Sequence, residues 1–303
     1  MKIVFLFLDG VGLGNPDSSE NPFLLANTPL LDCALQGQKL HKGFSSFQGD
    51  WVSLFELDAC VGVAGIPQSA TGQAMLLTGV NIPERLGYHY GPKPNPAIAS
   101  YLTNGNIFHV LRSRGYNLCY LNAFPPSYFE NIASGKRLYS AIPLAVTSAG
   151  MKIHNLEDLI AGKALSADFT AEGWRTHLGY PNLPTQSPHQ AGERMAAIAR
   201  QFDFTFFEYW LTDYAGHHQN MTEALHILET IDQVLEGFMS HWDLSEGMLW
   251  VTSDHGNIED LSHRRHTRNN VPLLIFGSTA LRKELPNFHS LLDIYPALLN
   301  LFP

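Results

Sequence analysis

Cysteine, charge and long apolar runs are all scarce in this chain, and each scarcity excludes something. The three cysteines, Cys33, Cys60 and Cys119, are odd in number and far apart. Neither a disulfide framework nor a CxxC metal site is expected from them, and a reducing, cytoplasmic setting is. No apolar run reaches the roughly 18 residues that a membrane span needs. The opening MKIVFLFLDGVGLG meets Asp9 after an apolar run of residues 3–8. That is too short for the apolar region of a signal peptide, and it reads as a first buried strand. Basic residues are outnumbered 19 to 28, for a net charge of −9, which weighs against nucleic acid and membrane surfaces as partners. A small anionic substrate stays compatible, because bound divalent metals invert the charge of a local site.

An apolar fraction of 45% is enough for a large core. Five apolar runs of strand length stand out: 2–8 (KIVFLFL), 116–124, 204–211, 248–253 and 271–277. Continuous runs of this kind suit strands covered on both faces, as in a parallel sheet between helices. Residues 222–241 carry Leu225, Leu228, Ile231, Leu235 and Phe238 at three- and four-residue steps, the stripe of an amphipathic helix. Shorter helical pieces are expected at 155–161 and in the closing SLLDIYPALLNLF, where Pro296 predicts a kink or a break. The stretch from about 95 to 189 is different in texture, with Pro94, Pro96, Pro125, Pro126, Pro181 and Pro184 between mixed signals. The expected architecture is α/β, a doubly wound and mostly parallel sheet. Its core, 1–95 plus 190–303, would be interrupted by an inserted cap at 96–189.

The chain has 14 histidines, and it is their placement that carries information. Asp9 follows the first strand in LDGVG. Asp213 and His217 form DYAGH just after the run 204–211. Asp254 and His255 end the run 248–253, and His266 precedes the run 271–277. Any one of these is compatible with an ordinary turn. Together they hang metal-ligating side chains from four strand ends, and open α/β folds bind ligands at the carboxyl ends of strands. Ser69, in IPQSATGQAMLLTG, lies at the start of a helical stretch through 73–77. A helix start there would turn backbone amides toward an anion. From this stretch alone, Ser69 is equally well placed to be a plain N-cap.

The motifs LDGVG, SATGQAMLLTG, TDYAGH, SDHGNIED and HTRNNVP resemble those of the alkaline phosphatase superfamily of binuclear metalloenzymes. Within it they look most like cofactor-independent phosphoglycerate mutases and phosphopentomutases. The resemblance implies two divalent ions per chain, Mn²⁺ or Zn²⁺. One would be held by Asp213, His217 and His266, the other by Asp9, Asp254, His255 and the oxygen of Ser69. It also implies Ser69 as nucleophile, with Thr71 as the fallback, and phosphoryl transfer through a phosphoserine on a small phosphorylated metabolite. A metal-dependent phosphohydrolase is the alternative, and a non-catalytic metal-binding relative is the alternative of another class. Two departures stand against a mutase. Gln73 replaces the histidine that the mutases carry after the nucleophile, and no arginine cluster is visible in the middle region. Arg112, Arg114, Lys136 and Arg137 are candidates for substrate gripping or solvated surface charge. His89, Lys93, Asn81 and Asn257 are the candidate substrate contacts, with Tyr88 and Tyr90 beside them.

Overall fold

The computed structural model describes residues 1–43 and 46–303. Seven strands form one sheet: β1 (Lys2–Leu8), β2 (Ser46–Gln48), β3 (Val52–Leu57), β4 (Leu118–Tyr120), β5 (Phe204–Tyr209), β6 (Gly247–Thr252) and β7 (Val271–Phe276). Their spatial order is β2-β3-β7-β6-β1-β5-β4. The fold is α/β as expected, but the sheet is mixed. β1 pairs in parallel with β5 and β6, and β4 with β5, whereas β7 runs antiparallel to β6 and to β3, and β2 antiparallel to β3. The apolar run of β7 correctly indicated burial on both faces but could not indicate direction. The connection decides that: residues 253–270 contain no helix, and without a crossover helix the chain returns antiparallel.

Two reversals, at β7 and again at β3, bring β3 back to the direction of β6. The carboxyl ends of β1, β3, β4, β5 and β6 therefore open on one edge, together with the amino end of β7. Every candidate donor lies in a segment leaving or entering that edge.

Side chains alternate across the sheet. Ile3, Phe5, Phe7, Phe204, Phe206 and Trp250 point to one face, against the helices Ser69–Thr78, Pro96–Asn104, Ile107–Ser113, Ala141–Ser148 and Ile294–Asn300. Val4, Leu6, Leu8, Phe207, Leu249 and Val251 point to the other. There they meet the helices Pro188–Ala199 and Met221–Ser240. The latter is the amphipathic helix expected at 222–241, started by Asn220, whose side chain accepts from Glu223 N. The piece expected at 155–161 is the helix Leu156–Ile160. Pro296 neither kinks nor breaks the last helix. It sits in the first turn of Ile294–Asn300, where a missing N–H costs nothing.

Parts of the stretch 96–189 join the main sheet and its buried clusters. The strand run expected at 116–124 shortens to β4, which pairs with β5 as an edge strand of the main sheet. Ile98, Leu102, Phe108, Leu111, Tyr128 and Val146 belong to the same buried cluster as Phe5 and Trp250. Leu121, Leu165 and Phe169 join the cluster on the opposite face, and among the described residues a satellite cluster of Leu159, Ala164, Ala171, Trp174 and Leu183, with Ala123, packs apart from both.

Phe206 is buried, stacks on Phe5 at 5.1 Å and meets Phe108 edge-on at 5.6 Å. Phe206→Ala is expected to cost about 3–5 kcal/mol, read as a lowered midpoint in chemical denaturation.

Candidate active site

Asp9 leaves β1 with its amide bonded to Tyr209 O at 2.9 Å. Gly10 follows with φ +69°, and a Cβ there would stand 2.7 Å from Asp213 Oδ1. Glycine is what allows the two acidic segments to touch. The run expected to continue as strand to 211 stops at Tyr209, and the chain turns into the helix Leu211–His218. Asp213 and His217 thus stand four residues apart on one helical face. Asp254 and His255 begin the loop after β6, and His266 lies in the loop that enters β7. Ser69 is the first residue of its helix. Gln68 holds the N-cap position, and no side chain makes the capping bond, so the plain N-cap reading of Ser69 does not hold. Its Oγ lies 3.0 Å from His255 Nε2 instead.

The six donors converge. His217 Nε2 is 3.2 Å from Asp213 Oδ2, and His266 Nε2 is 3.5 Å from Asp213 Oδ1 and 3.3 Å from His217 Nε2. His255 Nε2 lies 3.3 Å from Asp9 Oδ1 and 3.7 Å from Asp254 Oδ2. The rings of His255 and His266 stack at 3.8 Å. Two sets have ligand atoms within 4.8 Å of one another: Asp213–His217–His266, and Asp9–Asp213–His255. The first is the grouping expected from the motifs. In the second Asp213 is shared, and Asp254 stands slightly apart.

The chemistry of this donor set fits divalent cations. The Nδ1 atoms of His217, His255 and His266 face backbone carbonyls of Arg264 (2.7 Å), Gly256 (3.4 Å) and Pro67 (3.0 Å). A proton on Nδ1 satisfies each carbonyl and leaves the Nε2 lone pair aimed into the cluster, the usual support of a metal-bound histidine. Both Asp254 oxygens are buried without a hydrogen-bond donor among the described residues. Burial, then repulsion from Asp9, pushes the Asp254 carboxyl well above its usual range, and burial likewise raises Asp9. Burial alone would lower His255, yet Asp254, Asp9 and Asp213 together raise it to about 10. His266, buried and facing His255, is lowered to about 4. Asp213 is held low against its burial by His217 and the other imidazoles, and its bond raises His217. The carboxylates demand positive charge at their centre, which a divalent ion supplies.

Several expected roles change. The Thr71 hydroxyl is engaged by the backbone, donating to Gln68 O at 3.0 Å and accepting from Tyr90 N at 3.2 Å. Asn81 caps the helix Ile82–Leu86 and donates to Val61 O, so it is committed to the backbone. Asn257 donates to Asp213 O and Oδ1, at 3.1 and 2.6 Å, and so holds the Asp213 side chain. Lys93 is exposed. His89 is half-buried, with Nε2 3.3 Å from Val63 O, and burial lowers it.

Three further residues bear on the site. Gln73 reaches Asp9 Oδ2 at 3.3 Å. Glu208 is buried on β5, bonded by the Tyr120 hydroxyl at 2.6 Å, and burial pushes it up to about 8; the one charge in the run FTFFEY was its signal. Arg268, two residues past His266, borders a cleft of about 500 Å³ with Asp58, Cys60, Gly62, Val63 and Ala64. The signal for it was RRHTR, whose exposed Arg264, Arg265 and Arg268 surround a metal-grade histidine.

The fold and the donor set define an α/β protein built to hold divalent metal at a sheet edge, and comparison with known proteins agrees. Residues 181–303 match the family model of the Metalloenzyme superfamily. A 2,3-bisphosphoglycerate-independent phosphoglycerate mutase of Methylobacillus flagellatus is 30% identical over 129 residues, 40% of this chain and 25% of that protein. One of Chromobacterium violaceum is 29% identical over 209 residues, 57% of this chain and 40% of that protein. The chain therefore spans well under two-thirds of these relatives. The PH0037 protein of Pyrococcus horikoshii has a similar structure, with TM-score 0.57, 15% identity and coverage of 99% and 96%. So has a cold-active alkaline phosphatase of Shewanella, with TM-score 0.54, 12% identity and full coverage of both chains. A periplasmic domain of Escherichia coli EptC, solved in complex with Zn, aligns with TM-score 0.52 and 12% identity, covering 99% of this chain and 82% of that one. The resemblance to the alkaline phosphatase superfamily read from the motifs is borne out, and the fold is alkaline phosphatase-like. No helix is long and apolar enough to cross a membrane among the described residues.

Mn²⁺ or Zn²⁺ at about 100 times its Kd is expected to stabilise the fold by about 2.7 kcal/mol, read as a rise in Tm that a chelator reverses. Asp213→Ala is expected to remove the rise.

Proposed function

We propose that this chain catalyses phosphoryl transfer through a phosphoserine at Ser69, with two divalent ions, Mn²⁺ or Zn²⁺, on a small phosphorylated metabolite. The observation that carries the reading is the Ser69 hydroxyl, 3.0 Å from His255 Nε2 within the carboxylate–histidine cluster. One ion would rest on Asp213, His217 and His266, the other on Asp9, Asp254, His255 and the Ser69 oxygen. Bound there, the ions would lower the pKa of the serine hydroxyl and neutralise charge on the transferring group.

The chain's own residues do the rest. Ser69 Oγ forms the bond to phosphorus as the bond to the substrate's oxygen breaks, and that oxygen leaves with a proton. Its position at a helix start turns the positive end of the helix dipole toward the phosphoryl oxygens. Gln73 and Asn257 hold Asp9 and Asp213 in place. Arg268 and the cleft beside it would receive the part of the substrate beyond its phosphoryl group. A second hydroxyl of the substrate, taking the phosphoryl group back from Ser69, makes the reaction a mutase; water makes it a hydrolase.

The motifs favour a cofactor-independent phosphomutase. A specific observation favours the phosphohydrolase: three of the four middle-region cations are engaged within the fold. Arg112 donates to Ala149 O, and Arg114 to the carbonyls of Leu299 and Phe302, while Arg137 lies over the Tyr128 ring at 4.9 Å. A mutase needs cations to retain its intermediate.

With an aryl phosphate and Mn²⁺, Ser69→Ala is expected to lower phosphate release by at least about three orders of magnitude. Wild-type turnover in that variant would overturn the nucleophile. Arg268→Ala is expected to raise KM about tenfold, equivalent to about 1.4 kcal/mol of lost binding, with a smaller effect on kcat.

A further inference from the structure

Glu259 is the last but one residue of the motif SDHGNIED and carries no role in the chemistry above, yet it is 1% exposed at the same sheet edge. Its carboxylate accepts four hydrogen bonds, one from the loop leaving β1 and three from the two arms of its own loop, the single connection 253–270 between β6 and β7. Oε2 takes Gly12 N at 2.9 Å and Asn257 N at 2.7 Å. Oε1 takes Asn269 Nδ2 at 2.9 Å and the Thr267 hydroxyl.

Each contact falls next to a candidate metal ligand. Gly12 is three residues past Asp9 on the loop leaving β1. Asn257 is two past His255 on the loop leaving β6, and its side chain bonds Asp213. Thr267 adjoins His266 on the loop entering β7. The sequence makes room for the carboxylate, because a Cβ at Gly12 or at Gly256 would run into the Glu259 oxygens. Backbone bonds already keep these loops in register, Ile258 N to Gly10 O at 3.0 Å and Thr267 N to Gly256 O at 2.9 Å. The Glu259 carboxylate joins both of these contacts at one point, since it bonds the β1 loop and both arms at once.

We infer that Glu259 is a positioning residue that sets the distance between the Asp9 loop and the His255 and His266 arms of the β6–β7 connection, and with it the affinity of the cluster for divalent metal. The inference rests on the metal-binding part of the reading above. The carboxylate fits because two of its four donors are backbone amides, which cannot turn around to offer an acceptor. A glutamine can still place its oxygen on those amides, but its NH₂ then faces Thr267 and Asn269, which must reorient. Alanine leaves both amides buried and unpaired.

The test is Mn²⁺ titration of wild type, Glu259→Gln and Glu259→Ala by calorimetry, with the EPR spectrum of bound Mn²⁺ and metal-free melting curves alongside. Expected are a Kd raised about 10- to 100-fold in Glu259→Ala, a smaller rise in Glu259→Gln, and an altered EPR spectrum in both. Glu259→Gln carries the test where the alanine variant does not fold. Wild-type Kd and spectrum in the folded variants would overturn the inference alone. So would reduced stoichiometry at an unchanged Kd with a lowered metal-free Tm, the mark of a merely structural residue. Wild-type protein that binds no Mn²⁺ would overturn this inference and the reading beneath it together.

Discussion

Three carboxylates, Asp9, Asp213 and Asp254, are driven together at one edge of the sheet, and the rest of the site is arranged around that repulsion. Burying like charges is costly unless positive charge is placed among them. The protein supplies part of it through imidazoles. His255 is fully buried, yet its surroundings pull its proton affinity up to about 10. The backbone carbonyls behind His217, His255 and His266 turn every Nε2 inward. Such an arrangement is unfavourable as an empty structure and favourable around a cation, which is why the donor set points to metal more firmly than any single residue in it.

Rigidity comes from the sheet. β1, β5 and β6 are adjacent and parallel, so Asp9, the Asp213 helix and the Asp254–His255 pair leave neighbouring strands in one direction. Gly10 then permits a contact between the first two that any side chain would block. The helix beginning at Ser69 packs on the same face as Phe5 and Trp250, which fixes its first hydroxyl against His255. In a chain of net charge −9, Arg268 places positive charge at the cleft.

Much of this was legible in the amino-acid order. The apolar runs of β1, β5, β6 and β7 are local properties, and so is the stripe of the helix Met221–Ser240; both survive into the fold nearly unchanged. The site donors were legible for a related reason: a metal-grade residue beside a strand end stands out against apolar neighbours. Strand direction was not legible, because β7 looks alike whichever way it runs. β2 escaped notice because three residues carry no periodicity, and β3 because Ser53 and Glu56 interrupt its apolar run. The prolines of the middle region signalled turns but said nothing about which core the intervening helices would join.

The sequence by itself determined which segments are buried and which residues can bind a cation, since both depend on side-chain chemistry and short-range spacing. Only the tertiary structure decided the roles of hydroxyls and amides. Ser69 and Thr71 lie in one turn, yet one faces His255 and the other is spent on the Tyr90 backbone. Asn81 and Asn257 are alike in type, yet one caps a helix and the other steers Asp213. A polar group's function is set by the partner it meets, and those partners come from strands up to two hundred residues away.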